Sequence, residues 1–133
     1  MKKIILFVLL LAATTLHGQV FLHYNLEEIK EKITVTSLGV DHEGDVYATA
    51  KTHLAEYTYY FDNNGIVVMV FILPLEEVNL VYFVRDYNEQ FYSITKNKRW
   101  IVDIDGDVAD IEVLYSDKIE RWYIRWISVD HAL

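Results

Sequence analysis

Apolar and polar positions along this chain follow two periods, and the switches between them divide it into elements. After Asn25, apolar Leu26, Ile29 and Ile33 recur at helical spacing among charged residues, and Glu28 sits three places beyond Asn25. That is a capped helix start followed by an amphipathic stripe, so a short helix is predicted there. Residues 39–44, GVDHEG, read as a loop, and residues 45–51 alternate only weakly. Residues 54–61 have strong strand propensity, with Tyr57, Tyr59 and Phe61 on one face. Asn64-Gly65 then opens a second run, residues 66–73, which predicts a hairpin with a type I′ turn. This second run is apolar at every position, as in a central strand covered on both faces.

Pro74 ends that run. Leu80, Val84, Tyr87 and Phe91 return to helical spacing, which predicts a helix over residues 76–90. Four β-rich runs follow, at 91–95, 99–104, 107–115 and 118–128. Short turns between long strands require antiparallel pairing. The expected fold is therefore α+β: an antiparallel sheet with two helices packed on one face, a two-layer sandwich laid out as αβββ-αβββ.

Composition changes this picture at the ends and at the surface. Lys2 and Lys3 precede an apolar run from Ile4 to Ala13 and a polar exit at Gly18, the order of a secretory signal peptide. The expected organisation is a leader at 1–18 and one domain at 19–133, periplasmic or extracellular, with no transmembrane segment in the mature chain. No cysteine is present, so export here means a fold stabilised without disulfides. The chain has 12 Lys+Arg against 20 Asp+Glu; without Lys2 and Lys3 the balance is 10 against 20, net −10. That field repels phosphate backbones, and nucleic acid is not an expected partner.

Chemistry is concentrated in two stretches. Residues 100–112, WIVDIDGDVADIE, would give a calcium ion Asp103, Asp105 and Asp107, but the first position of an EF-hand register falls on Ile101 and the flanks read as strands. Asp105-Gly106 as a type I′ turn explains the same residues, so no metal and no cofactor are expected. In the final strand, alternation puts Trp122, Ile124 and Trp126 on one face, read as core, and Arg121, Tyr123 and Arg125 on the other. Arginines about a tyrosine suit planar anions or partner carboxylates, so these three are the candidate binding residues; pairing with Asp110 or Glu112 is the structural alternative. His23, His42, His53 and His131 read as scattered surface histidines, and Ser37, Ser93, Ser116 and Ser128 lack a nucleophile-elbow frame. No catalytic residue is assigned.

The motifs Tyr59-Tyr60-Phe61-Asp62-Asn63-Asn64-Gly65 and Tyr87-Asn88-Glu89-Gln90-Phe91, after a leader and an early helix, resemble those of small exported bacterial proteins of uncharacterised function. The resemblance implies an address and a domain type and carries no catalytic residues. The expected function is a non-catalytic binding or interaction module whose partner is a protein or a small anionic ligand. The alternative is a small secreted hydrolase using a carboxylate pair.

Overall fold

Helix α1 (Leu26–Lys32) starts where its cap dictates: the Asn25 carboxamide accepts from the Glu28 N–H at 2.9 Å, and the Glu28 carboxylate accepts from the Asn25 N–H at 3.1 Å. The structure, a computed structural model, describes residues 20–129, so the expected leader and His131 lie outside the described residues. After α1 come β1 (Ser37–Val40), β2 (Val46–Lys51), β3 (Ala55–Phe61) and β4 (Val67–Pro74), then α2 (Glu77–Gln90). Strands β5 (Tyr92–Thr95), β6 (Arg99–Ile104), β7 (Asp107–Ser116) and β8 (Arg121–Ser128) complete the order. The fold is α+β, with all eight strands in one antiparallel sheet in the order β1-β2-β3-β4-β8-β7-β6-β5. No helix among the described residues is long and apolar enough to cross a membrane.

Each half of the chain is thus a helix followed by a four-strand meander, αββββ where the layout αβββ-αβββ was expected; in the second half the four strands are the four β-rich runs, so the strand not foreseen lies in the first. The added strand is β1, whose last two residues lie in the segment read as a loop. Gly39 does not break it: an added Cβ would stand 2.6 Å from the Tyr47 hydroxyl, so the glycine leaves room for the tyrosine paired opposite it. The two meanders join where β4 pairs β8, from Met69↔Ile127 to Ile72↔Ile124.

Two hairpins share one turn chemistry. Asp41 and Asp62 each accept two backbone N–H bonds on one carboxylate oxygen, from Glu43 and Asp45 at 2.9 Å, and from Asn64 and Ile66 at 2.9 and 3.0 Å. Gly44 and Gly65 close these turns at φ of 88° and 76°. Asn64 does not take a positive φ, so the β3–β4 hairpin forms as expected but not through a type I′ turn. The aspartate side chain favours a type I turn with a left-handed glycine after it, and the sequence pattern D-x-x-G outranked Asn-Gly. Asp105-Gly106, at φ of 52° and 86°, does form the type I′ turn between β6 and β7.

The fully buried strand residues share one face. A single row of cross-strand partners runs Ala48, Tyr59, Val70, Trp126, Ile111 and Trp100 over six strands, none more than 2 % exposed. Ile29 of α1, Phe83 and Tyr87 of α2, and the segment Val20–Leu22 belong to the same cluster. Tyr87 presents its ring edge-on to both Trp100 and Trp126, at 5.4 and 5.6 Å. Strand β4 is central, as predicted, but it is fully buried on one face only; Met69, Phe71 and Leu73 stay partly exposed on the other.

Candidate functional site

Strand β8 sends Tyr123 and Arg125 to the face opposite Ile124 and Trp126, as the alternation predicted, and Arg121 continues the same side. The three do not form a free cationic stripe. Glu112 is the register partner of Arg125, and their charged ends approach to 3.6 Å. The Arg121 guanidinium donates to the Pro74 carbonyl. Arg99, two strands away from Arg125, donates to both carboxylate oxygens of Asp110 at 3.1 and 2.9 Å, and these hydrogen bonds raise the Arg99 pKa. The face therefore carries alternating opposite charges rather than one sign.

Around these pairs lies a feature that pattern reading missed. Tyr47, Tyr60, Phe71 and Tyr123, from β2, β3, β4 and β8, form a ladder of rings whose centroids are 5.9, 5.6 and 5.7 Å apart. Direct partners and diagonal neighbours on one face come within reach of large rings, which is how four adjacent strands supply the ladder. Partial burial, with help from Asp41, raises the Tyr60 pKa. The signal was present as aromatic residues at alternate positions opposite the core, but strand order was needed to line them up.

Trp122 was read as core, and the structure corrects that: it is 46 % exposed. It shares a face with Ile124 and Trp126 but lies where the covering side chains thin out, edge-on to the exposed ring of Tyr115 at 5.1 Å.

The aspartates of the β6–β7 turn do not converge. Asp103 accepts from the Gly106 N–H at 2.7 Å, while one oxygen of Asp107 stands 2.7 Å from Nε2 of His23 and accepts from the Ser128 hydroxyl at 3.1 Å. His23 is thus tied to the sheet rather than scattered on the surface. The arrangement is not a nucleophilic triad, because the carboxylate lies between serine and histidine and the imidazole does not face the serine proton. Among the described residues, the group of three acidic or histidine side chains whose ligand atoms all lie within 4.8 Å of one another is Asp41, Glu43 and Asp45, and Asp41 there serves its own turn. His42 lies 3.8 Å from Glu43, both well exposed.

Compared with known proteins, the chain matches no family model, no curated protein and no solved structure.

Proposed function

We propose that this chain is an exported, non-catalytic binding module that engages a protein partner through the uncovered face of its sheet. In this reading α1 and α2 form one layer over the face carrying Tyr59, Ile72 and Trp126, and the other face of β2, β3, β4 and β8 is left for the partner. The order of charges and apolar residues in the first eighteen positions supports export to the periplasm or beyond.

The observation that carries the reading is the ring ladder Tyr47, Tyr60, Phe71 and Tyr123. With Met69 and Leu73 it makes an apolar centre, and the pairs Arg125–Glu112 and Arg99–Asp110 lie beside it. Aromatic anchors with arginine beside them, and charges at the margin, are the composition of protein interfaces. A small anion suits the face less well, because Arg125 and Arg121 already have oxygen partners. A hydrolase would need two converging carboxylates, and Glu112 and Asp110 each face an arginine instead.

A photo-crosslinking residue placed at Tyr123 or Thr58, on the proposed face, should give an adduct with one protein in the exporting cell. The same residue at Lys30, on α1, should not. Adducts from Lys30 alone, or none from the sheet face, would defeat the proposal.

A further inference from the structure

On the opposite side of the sheet from the ring ladder, two hollows meet at Leu80 and Trp122. The smaller, about 320 Å³, is bounded by Tyr115, Glu76, Glu77 and Glu120, and Arg121, the first residue of β8, reaches its edge where its guanidinium meets the Pro74 carbonyl. The larger, about 670 Å³, runs along α2 past Val81 and Val84 to Asn88. We propose that this double hollow receives a short basic and apolar segment of a partner protein, with an aliphatic side chain in the larger hollow and a lysine or arginine side chain at the acidic mouth of the smaller.

Three observations lead there. Large apolar side chains at the rim are about half exposed, Val81 at 54 %, Tyr115 at 48 % and Trp122 at 46 %, although Ile124 and Trp126 on the same strand face are buried. Contiguous exposed apolar surface of this kind marks contact sites. Second, the indole N–H groups of Trp100 and Trp126 each donate inside the protein, to Asn88 at 2.9 Å and Tyr87 at 3.1 Å, whereas that of Trp122 has no partner among the described residues. Trp122 is thus the tryptophan left with both an apolar face and a free donor.

Third, the charges select the occupant. Glu76, Glu77 and Glu120 outnumber Arg121 at the mouth, and the Arg121 guanidinium is directed at the Pro74 carbonyl. The edge-on pair of Trp122 and Tyr115 adds ring faces that attract a cation. The same carboxylates repel anionic headgroups and acidic peptides, and a second copy of this chain would bring a net charge of −8 with it. A basic segment is what remains favourable.

The test follows the three indole N–H signals by ¹H–¹⁵N NMR while adding acetyl-Leu-Leu-Arg-amide or acetyl-Leu-Leu-Glu-amide. The arginine peptide should move the Trp122 signal saturably and leave Trp100 and Trp126 in place, and the glutamate peptide should move none. The triple change Glu76→Gln, Glu77→Gln and Glu120→Gln should weaken binding by roughly fivefold or more, and about 0.5 M salt should act in the same direction without any substitution. Unmoved Trp100 and Trp126 signals show that the variant keeps its fold. Equal response to both peptides, a Trp122 signal that shifts with protein concentration alone, one that shifts with neutral lipid vesicles but not peptide, or no shift at all would overturn the proposal. Because Tyr123→Ala alters only the ladder face, it should leave this titration unchanged even if it abolishes the crosslink expected there.

Discussion

Replacing Tyr87 by phenylalanine isolates one buried hydroxyl in the middle of the aromatic core. The ring contacts to Phe83, Phe91, Trp100 and Trp126 survive, since a phenylalanine ring has the same outline. What is lost is the acceptor for the Trp126 indole N–H, 3.1 Å away in the buried cluster, and an orphaned buried donor costs about 1–3 kcal/mol. That is the expected loss near neutral pH. At alkaline pH the same hydroxyl becomes a liability. Burial raises the pKa of Tyr57 to about 12 and pushes those of Tyr59 and Tyr87 up as well, while unfolded tyrosines ionise near 10. Their folded values are raised, so this part of the stability is intact below about pH 10 and is lost as pH climbs from there towards the folded values. Each buried tyrosine then withdraws about 1.4 kcal/mol by pH 11, roughly 4 kcal/mol for the three together. With one fewer, Tyr87→Phe should lose only about two-thirds as much, so its deficit against the wild type should shrink by about 1.4 kcal/mol between neutral pH and about pH 11. Urea unfolding at neutral pH and at steps between about pH 9 and 11, followed by far-ultraviolet circular dichroism, measures both quantities. A deficit that stays constant or widens with pH would refute the linkage argument.

Trp126→Ala should cost roughly 3–5 kcal/mol in urea unfolding, against roughly 1–2 kcal/mol for the half-exposed Trp122→Ala, and equal losses would mean that Trp122 is packed as deeply as Trp126. Asp62→Ala removes two side-chain to backbone bonds and should lower stability by about 1–2 kcal/mol, with Asp41→Ala close behind because its turn is built the same way; thermal unfolding of the pair checks this. Calcium at about millimolar concentration should leave the melting temperature within about a degree, since a ligand that does not bind the folded state cannot stabilise it. A rise of several degrees that disappears with Asp105→Ala would instead establish a cation site at the β6–β7 turn.

Local rules carried much of the architecture. Caps, alternation and turn residues placed both helices and seven strands, because each reports on a few neighbouring residues. The type I′ turn at Asp105-Gly106 was legible because its two left-handed positions are adjacent, whereas Asn64-Gly65 misled because Asp62, three residues before the glycine, controls that turn through its side chain. Long-range information was missing in proportion to its range. Gly39 reads as a breaker until Tyr47 is known to lie across it. Trp122 reads as core because alternation identifies the face of a strand but not how far burial extends along it. The close approach of His23 to Asp107 joins residues far apart in sequence, and no local pattern announces it. For the candidate site, Tyr123 and Arg125 were correctly placed opposite Ile124 and Trp126, and the pairing of Arg125 with Glu112 was the alternative read from the sequence because β7 and β8 are consecutive; what sequence alone does not set beside β8 is β4, which supplies Pro74 to Arg121 and Phe71 to Tyr123.

The seam between β4 and β8 connects these points. Val70 and Ile72 on one strand meet Trp126 and Ile124 on the other, all at most 2 % exposed, so separating the two meanders would expose the most deeply buried part of the core along two open strand edges. The same seam carries the proposed binding surface on its other side, since Tyr47, Tyr60 and Phe71 come from the first half and Tyr123 and Arg125 from the second, with Phe71 and Tyr123 meeting edge-on across it. The ladder is therefore a property of the joined sheet. The helix side shows the same dependence: the hollows at Trp122 lie between α2, which follows directly from β4, and the β7–β8 hairpin. A change that loosened the β4–β8 pairing would be expected to weaken both surfaces together, whereas a change at either surface alone should leave the other intact.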